Sequence, residues 1–283
     1  MPEAKTNSSA QRYILRSTLN GVTTLTMNRP KRLNGWSMDM MDELKAAFKE
    51  AAADDNTKAL VLTGTDPYYC AGVNLGGSMK LGHPQALHDS IVEHNQALFE
   101  AFLDFPKPFL VAANGPAIGA AVTSATLADG IIASNKATFS TPFAALGVSP
   151  EGCSSVHFET LMGARNADRM LGEDGWKPTA AEAKAAGLVQ YTADHENLMS
   201  EAQRIAEEWI ANGATRKFRG PGELDALKTV NAKESIGVAD SFLSAPFMQA
   251  QFKFLWSKNK RGPAVMFFTM WASRPLWSQL LSK

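Results

Sequence analysis

Few residues in this chain are suited to chemistry. Glu151 stands in SPEGCSS (Ser149 to Ser155), a single carboxylate among small residues after the apolar run FAALGV. Two other stretches are rich in small residues. YCAGVNLGG (Tyr69 to Gly77) follows a buried-strand pattern, and NGPAIGAAVT (Asn114 to Thr123) turns from a second such strand into a helix pattern. Tiny side chains let a ligand approach the backbone, and N–H groups at a helix start point outwards with the positive end of the dipole. Two such groups converging on one point would stabilise an oxyanion, and a carboxylate beside it could carry a proton. Each feature also has a structural reading. Tight strand–helix packing demands small residues, and Ser149 as N-cap, Pro150 at the first helical position and Glu151 in the first turn suit a helix start.

Other chemistries lack their residues. The five histidines, His83, His88, His94, His157 and His195, form no HExxH pattern and no cysteine–histidine pattern, so no metal site is expected. Gly115 to Gly119 has neither the Lys-Ser/Thr of a phosphate loop nor the spacing of a dinucleotide fingerprint. Ser124, Ser154 and Ser155 sit in no GxSxG elbow. Cys153 has no basic neighbour in sequence to activate a thiolate.

The elements that must position these stretches alternate in type. YILRSTL and VTTLTM, separated by Asn20-Gly21, predict a β-hairpin. Ser37 to Ala53 predicts a helix capped by Ser37, with Met40, Met41, Leu44, Ala47 and Phe48 on one face. Buried strands are expected at 59–64, 109–115 and 130–134, with helices over Pro84 to Leu103 and 118–128 between them. This recurrence implies an α/β core with crossover connections. Beyond Gly147 the pattern is helical apart from a short strand near Leu188 to Tyr191, and Gly187 ends a helix over 179–189. A hinge is expected near 212–222. It divides residues 1–212, the core with the site, from an aromatic-rich helical region, 213–283, that needs a surface to bury against.

The chain has 283 residues, 28 Lys plus Arg against 28 Asp plus Glu, and 45% hydrophobic residues. A balanced charge gives no general attraction for nucleic acid or anionic membrane. No apolar run is long enough to span a bilayer, and two cysteines fit a reducing compartment. The expectation is an intracellular protein. The C-terminus reads Leu-Ser-Lys rather than the peroxisomal Ser-Lys-Leu, which leaves cytoplasm and peroxisome open.

YCAGVNL, NGPAIGAAV, ATFSTPFAALGVSPEG and AAEAKAAGLV, in this order, resemble the crotonase (enoyl-CoA hydratase/isomerase) superfamily. The similarity runs from the hairpin to about Val189. It implies an α/β spiral of ββα units, a helical C-terminal region that builds a homotrimer or a dimer of trimers, and an acyl-CoA thioester substrate. Coenzyme A would enter with that substrate, and no separate cofactor is implied. The backbone N–H groups of Ala71 and Ala120 would bind the thioester oxygen. Ala71, Gly72, Val73, Asn74, Leu75, Phe143 and Leu146 would line the acyl chain and CoA, and Lys31 and Arg32 would meet the CoA phosphates. Where hydratases of the family carry two glutamates, this chain has Thr123 and Phe143. Water addition needs one group to activate water and one to deliver a proton, so the resemblance points away from hydration. SPEG resembles the peroxisomal-type Δ3,Δ2-enoyl-CoA isomerases, in which a lone glutamate occupies the place of Glu151. The implied reaction moves a C=C bond from C3 to C2 through one carboxylate. Thioester hydrolysis, decarboxylation and acyl-CoA binding without turnover are the alternatives.

Overall fold

Asn20 and Gly21 both adopt positive φ, 50° and 83°. This is the backbone of a two-residue hairpin turn whose twist matches its strands. It joins β1 (Ile14–Leu19) to β2 (Val22–Met27), with Leu19 opposite Val22. The computed structural model describes residues 13–73, 82–219 and 223–281.

From β2 the sheet grows by parallel addition. After α1 (Met38–Ala53) comes β3 (Ala59–Gly64), and α2 (Pro84–Leu103) precedes β4 (Phe109–Ala113). Next come β5 (Ala117–Ile118), α3 (Ala120–Thr126), β6 (Gly130–Ser134), β7 (Phe139–Ser140) and α4 (Phe143–Leu146). Then follow α5 (Ser154–Met162), α6 (Ala164–Leu171), α7 (Ala180–Ala185), β8 (Tyr191–Ala193) and α8 (Leu198–Ala211). The main sheet runs β1-β2-β3-β4-β6-β8, antiparallel only at the hairpin, and β5 and β7 form a small parallel pair.

The continuous apolar runs are explained by burial on both faces. Leu60, Leu62, Phe109, Val111 and Ile131 point into the main core with α1 and α2. Their neighbours Val61, Leu110, Ala112 and Ile132 point to the other face, where Leu198, Ala202, Ile205 and Ala206 of α8 cover them. Ser37 caps α1 as its sequence predicts, and Met40, Met41, Leu44, Ala47 and Phe48 are buried. Thr179 and Glu182 form a reciprocal capping box on α7.

The structure departs from the sequence at several element boundaries. The helix expected over 118–128 begins at Ala120, because Ala117 and Ile118 pair with β7 instead. The strand expected near 188–191 lies at Tyr191–Ala193, where it adds to β6. The helix expected from Ser149 begins at Ser154.

Residues 214–219 run without helix or strand against the body. Arg216 forms a buried ion pair with Asp129 at 2.9 Å and donates to the carbonyls of Phe105 and Phe102 at 3.1 and 3.2 Å. Beyond them α9 (Leu224–Phe242) packs along α2. α10 (Ala245–Ser257) and α11 (Arg261–Trp277) pack on each other around Phe247, Met248, Leu255, Phe267 and Met270, with Leu87 and Ile91 of α2 against this cluster. The helix α9 therefore stands beside α2, where it can reach the loop that carries Glu151.

Candidate active site

The two small-residue turns meet. Cys70 bridges Ala117: its N–H donates to the Pro116 carbonyl at 3.3 Å, and its carbonyl accepts from Ile118 at 3.0 Å. Gly72 has φ 77°, and a Cβ there would lie 2.6 Å from the Ile118 carbonyl oxygen. Only glycine permits this approach, and it sets residues 71–73 against residues 118–120.

The donors differ from the expectation in one position. The N–H of Ala71 donates to the Leu33 carbonyl at 3.0 Å, so it is already satisfied and is not free for an oxyanion. Two residues on, the geometry is different. Trp36 N–H donates to the Gly72 carbonyl at 2.8 Å within a parallel Trp36–Val73 bridge. With Trp36 bonded to the Gly72 carbonyl, the parallel bridge turns the N–H of Val73 away from Trp36. Ala120 opens α3, and the first N–H of a helix has no acceptor within the helix. Ala71, Gly72, Val73, Gly119 and Ala120 all line one cavity.

Glu151 closes the cavity from another side and is 7% exposed. It lies three residues ahead of α5, outside the helix. Ser149 does not cap that helix; its hydroxyl bonds the Gly237 carbonyl and Ser241 of α9. After Glu151 the chain turns sharply through Gly152 (φ 63°) and Cys153 (φ 65°). A Cβ on residue 152 would overlap the Phe99 ring, so this glycine is also required. The left-handed Cys153 is a strained conformation for a residue with a side chain. The strained turn is held by Glu234 of α9, whose carboxylate accepts from Cys153 N–H at 2.6 Å and from Ser155 N–H at 2.8 Å.

Asn95 of α2 donates to Glu151 Oε2 at 2.7 Å, and Ser235 of α9 donates to Asn95 Oδ1 at 2.8 Å. Besides these groups, the cavity wall is mostly apolar, including Met38, Ile91, Leu98, Phe143, Leu146 and Val238. His94 also lines it. The His94 Nδ1 donates to the Ser90 carbonyl at 2.6 Å, since a carbonyl can only accept. Burial pushes the Glu151 carboxyl up to about 7; the Asn95 hydrogen bond opposes this, and the negative Glu234 adds to it. A carboxyl poised near neutrality can both take and return a proton.

The structure brings Glu151, Ala71, Gly72, Val73, Ala120, Phe143 and Leu146 to one cavity. Asn74 and Leu75 lie outside the described residues. Lys31 and Arg32 fall on an exposed 3-10 turn, Pro30–Arg32, outside the cavity wall; the turn's next residue, Leu33, holds Ala71. Thr123 is fully buried, and its hydroxyl donates to the Ala120 carbonyl at 3.3 Å beneath Gly152. Among the described residues no group of three or more His, Cys, Asp or Glu is placed to hold a metal ion.

A family model described as enoyl-CoA hydratase/isomerase matches residues 17–234. The chain belongs to the enoyl-CoA hydratase/isomerase family. Among relatives of this family, it is 36% identical over 259 residues to human enoyl-CoA delta isomerase 2 (Homo sapiens), covering 85% of this chain and 62% of the relative. It therefore spans less than two thirds of that relative's length. It is 34% identical over 264 residues to a mouse (Mus musculus) protein named enoyl-CoA delta isomerase 3, peroxisomal, covering 87% of this chain and 79% of that one. An enoyl-CoA hydratase/isomerase crystal structure from Pseudoalteromonas atlantica T6c superimposes with a TM-score of 0.73 at 25% identity, covering 88% of this chain and 98% of that one. The crotonase-like α/β fold is thus common to sequence and structure. Among the described residues no helix is long and apolar enough to cross a membrane.

Proposed function

We propose that this chain is an enoyl-CoA isomerase that moves a double bond from C3 to C2 of an acyl-CoA, with Glu151 as its one proton carrier. The observation that carries the reading is the Glu151 carboxyl, buried in an apolar cavity and poised near 7, in the same cavity wall as Val73 and as Ala120 at the first position of α3.

In a 3-enoyl thioester the C2 protons are acidified by the carbonyl and by the neighbouring double bond. The Glu151 carboxylate takes one of them. The electron pair moves through C2 and the carbonyl to give a dienolate whose charge rests largely on the thioester oxygen. The N–H groups of Val73 and Ala120 stabilise that oxygen, each contributing about 3 kcal/mol in comparable sites. Protonated Glu151 then returns the proton to C4, and the C2=C3 bond forms. Base and acid are the same group, so no second carboxylate is needed, in keeping with the buried Thr123 and the apolar Phe143.

Coenzyme A is part of the substrate, and the chemistry calls on no separate cofactor. Lys31 and Arg32, exposed on the turn that holds Ala71, are suited by charge to the CoA phosphates. Phe254, Trp256, Phe268 and Leu276 leave α10 and α11 with an exposed apolar face, which fits contact between copies in a homotrimer or a dimer of trimers. A C3-to-C2 shift of this kind would serve the oxidation of unsaturated fatty acids, and relatives named enoyl-CoA delta isomerases support the isomerase reading.

Incubation with 3-enoyl-CoA tests the reading. The expected product is the 2-enoyl thioester of unchanged mass. Release of free CoA or carbon dioxide would assign hydrolysis or decarboxylation instead, and binding without turnover would assign a carrier.

A further inference from the structure

Glu234 is a buried carboxylate, 8% exposed, outside the cavity wall and without a role in the proton transfer described above. Its two oxygens accept from two different N–H groups, those of Cys153 and Ser155, at the start of α5. That is the place the sequence gives to Ser149 and Glu151. A helix start carries a positive partial charge, and a carboxylate three residues ahead of it would be held in its ionised form and made a poorer base. Glu151 stands at that distance, yet the positive end is taken up by Glu234. The next residue of α9, Ser235, fixes the Asn95 amide that grips Glu151 from the other side. Consecutive residues of one helix thus reach the same carboxylate by two routes.

We propose that Glu234 is a positioning residue for Glu151: it locks the strained turn that follows Glu151 and supplies the counter-charge that keeps the helix end from weakening the base. The inference rests on the assignment of Glu151 as the proton carrier. The proton affinity of Glu151 agrees with it, since burial raises that affinity first and the Glu234 charge raises it further. Burial pushes the Glu234 carboxyl up as well, while the Ser155 and Cys153 N–H groups it accepts from pull it back towards the ionised form. Among the described residues, the other titratable groups near Glu151 are His94 on α2, the Cys153 thiol and His157 on α5. The thiol is pushed up to about 12 by burial, and burial pushes the His157 imidazole down.

The test is a carbon-13 NMR titration of glutamate-labelled protein in the wild type, Glu234→Gln and Glu234→Asp, run beside the pH dependence of kcat/KM. Glu151→Gln assigns the Glu151 resonance, and a His94→Gln background removes the other titratable side chain of the cavity wall. In the wild type Glu234 ionises at a lower pH than Glu151. In Glu234→Gln the Glu151 midpoint falls by about half a unit or more, the acid limb of kcat/KM moves with it, and KM changes little. Glu234→Asp restores most of the midpoint.

An unchanged Glu151 midpoint in Glu234→Gln overturns the proposal, as do equal shifts in the Gln and Asp variants. So does a wild type in which Glu234 ionises above Glu151, an outcome readable even if Glu234→Gln does not fold. The NMR midpoints do not depend on turnover. If Glu151→Gln still isomerises 3-enoyl-CoA, the functional assignment fails while the titration continues to decide the role of Glu234.

Discussion

Asn95 holds Glu151 by one hydrogen bond, Nδ2 to Oε2 at 2.7 Å, from a helix 56 residues earlier in the chain. The bond favours the charged form of a group that burial drives towards the neutral one. It gives the carboxylate a fixed orientation, and among the described residues no cation stands beside it to make it a weaker base.

Replacement of Asn95 by Ala removes that bond and leaves the Ser235 hydroxyl on the Asn231 carbonyl alone, at 2.8 Å. The Glu151 midpoint rises, so less of the protein carries it in the basic form at pH 7. A hydrogen bond to a charged group contributes about 1.5 kcal/mol or more, which corresponds to a roughly tenfold loss of kcat/KM at neutral pH. The pH profile of Asn95→Ala shows the acid limb displaced upwards, opposite to the displacement in Glu234→Gln.

The raised proton affinity of Glu151 also couples stability to pH. The folded protein holds this proton up to about 7, whereas an unfolded glutamate releases it near 4.3. Below the unfolded value the protonated group carries no penalty. Stability is lost as pH rises through the folded value, and the penalty is complete above it. Glu151→Gln has no charge to bury and is therefore more stable than the wild type at pH 8, by up to about 3 kcal/mol. Thermal melts at pH 8 and pH 4.5 check this: the variant melts on the order of 5 °C higher at pH 8, and the gap closes at the lower pH.

Gly72→Ala tests the meeting of the two turns. The new Cβ would lie 2.6 Å from the Ile118 carbonyl oxygen, on a backbone with φ 77°. The turns must separate, which moves Val73 away from Ala120. A fall of about a hundredfold in kcat/KM is expected from such a displacement, with a stability loss of about 1–3 kcal/mol. Turnover assays and chemical denaturation of the same preparation separate the two effects.

The strands, α1 and α2 are legible in the sequence because each obeys a local rule: alternation or apolar runs for strands, a cap and an apolar face for helices. Residues 71–73, 120, 143, 146 and 151 are legible as one site through small-residue turns and family resemblance. What the sequence hides is pairing at a distance. Ser149 and Pro150 have the composition of a helix start, but Ser149 is drawn to α9, and the cap comes from Glu234, which lies 81 residues after Cys153. Ala71 looks as suitable a donor as Val73 until Leu33 is seen to occupy its N–H. Asn95 sits in a helix whose pattern records only which residues are buried, and its partner Glu151 enters only through the fold.

In the proposed mechanism one carboxylate carries the proton from C2 to C4. The most direct test is the rate of 3-enoyl-CoA isomerisation by Glu151→Gln, with thioester binding measured on the same sample. The variant is expected to fold, to bind the thioester with affinity close to wild type and to lose turnover by about four orders of magnitude, at the upper end of what one acid–base group supplies. Near-normal turnover by that variant would contradict the mechanism.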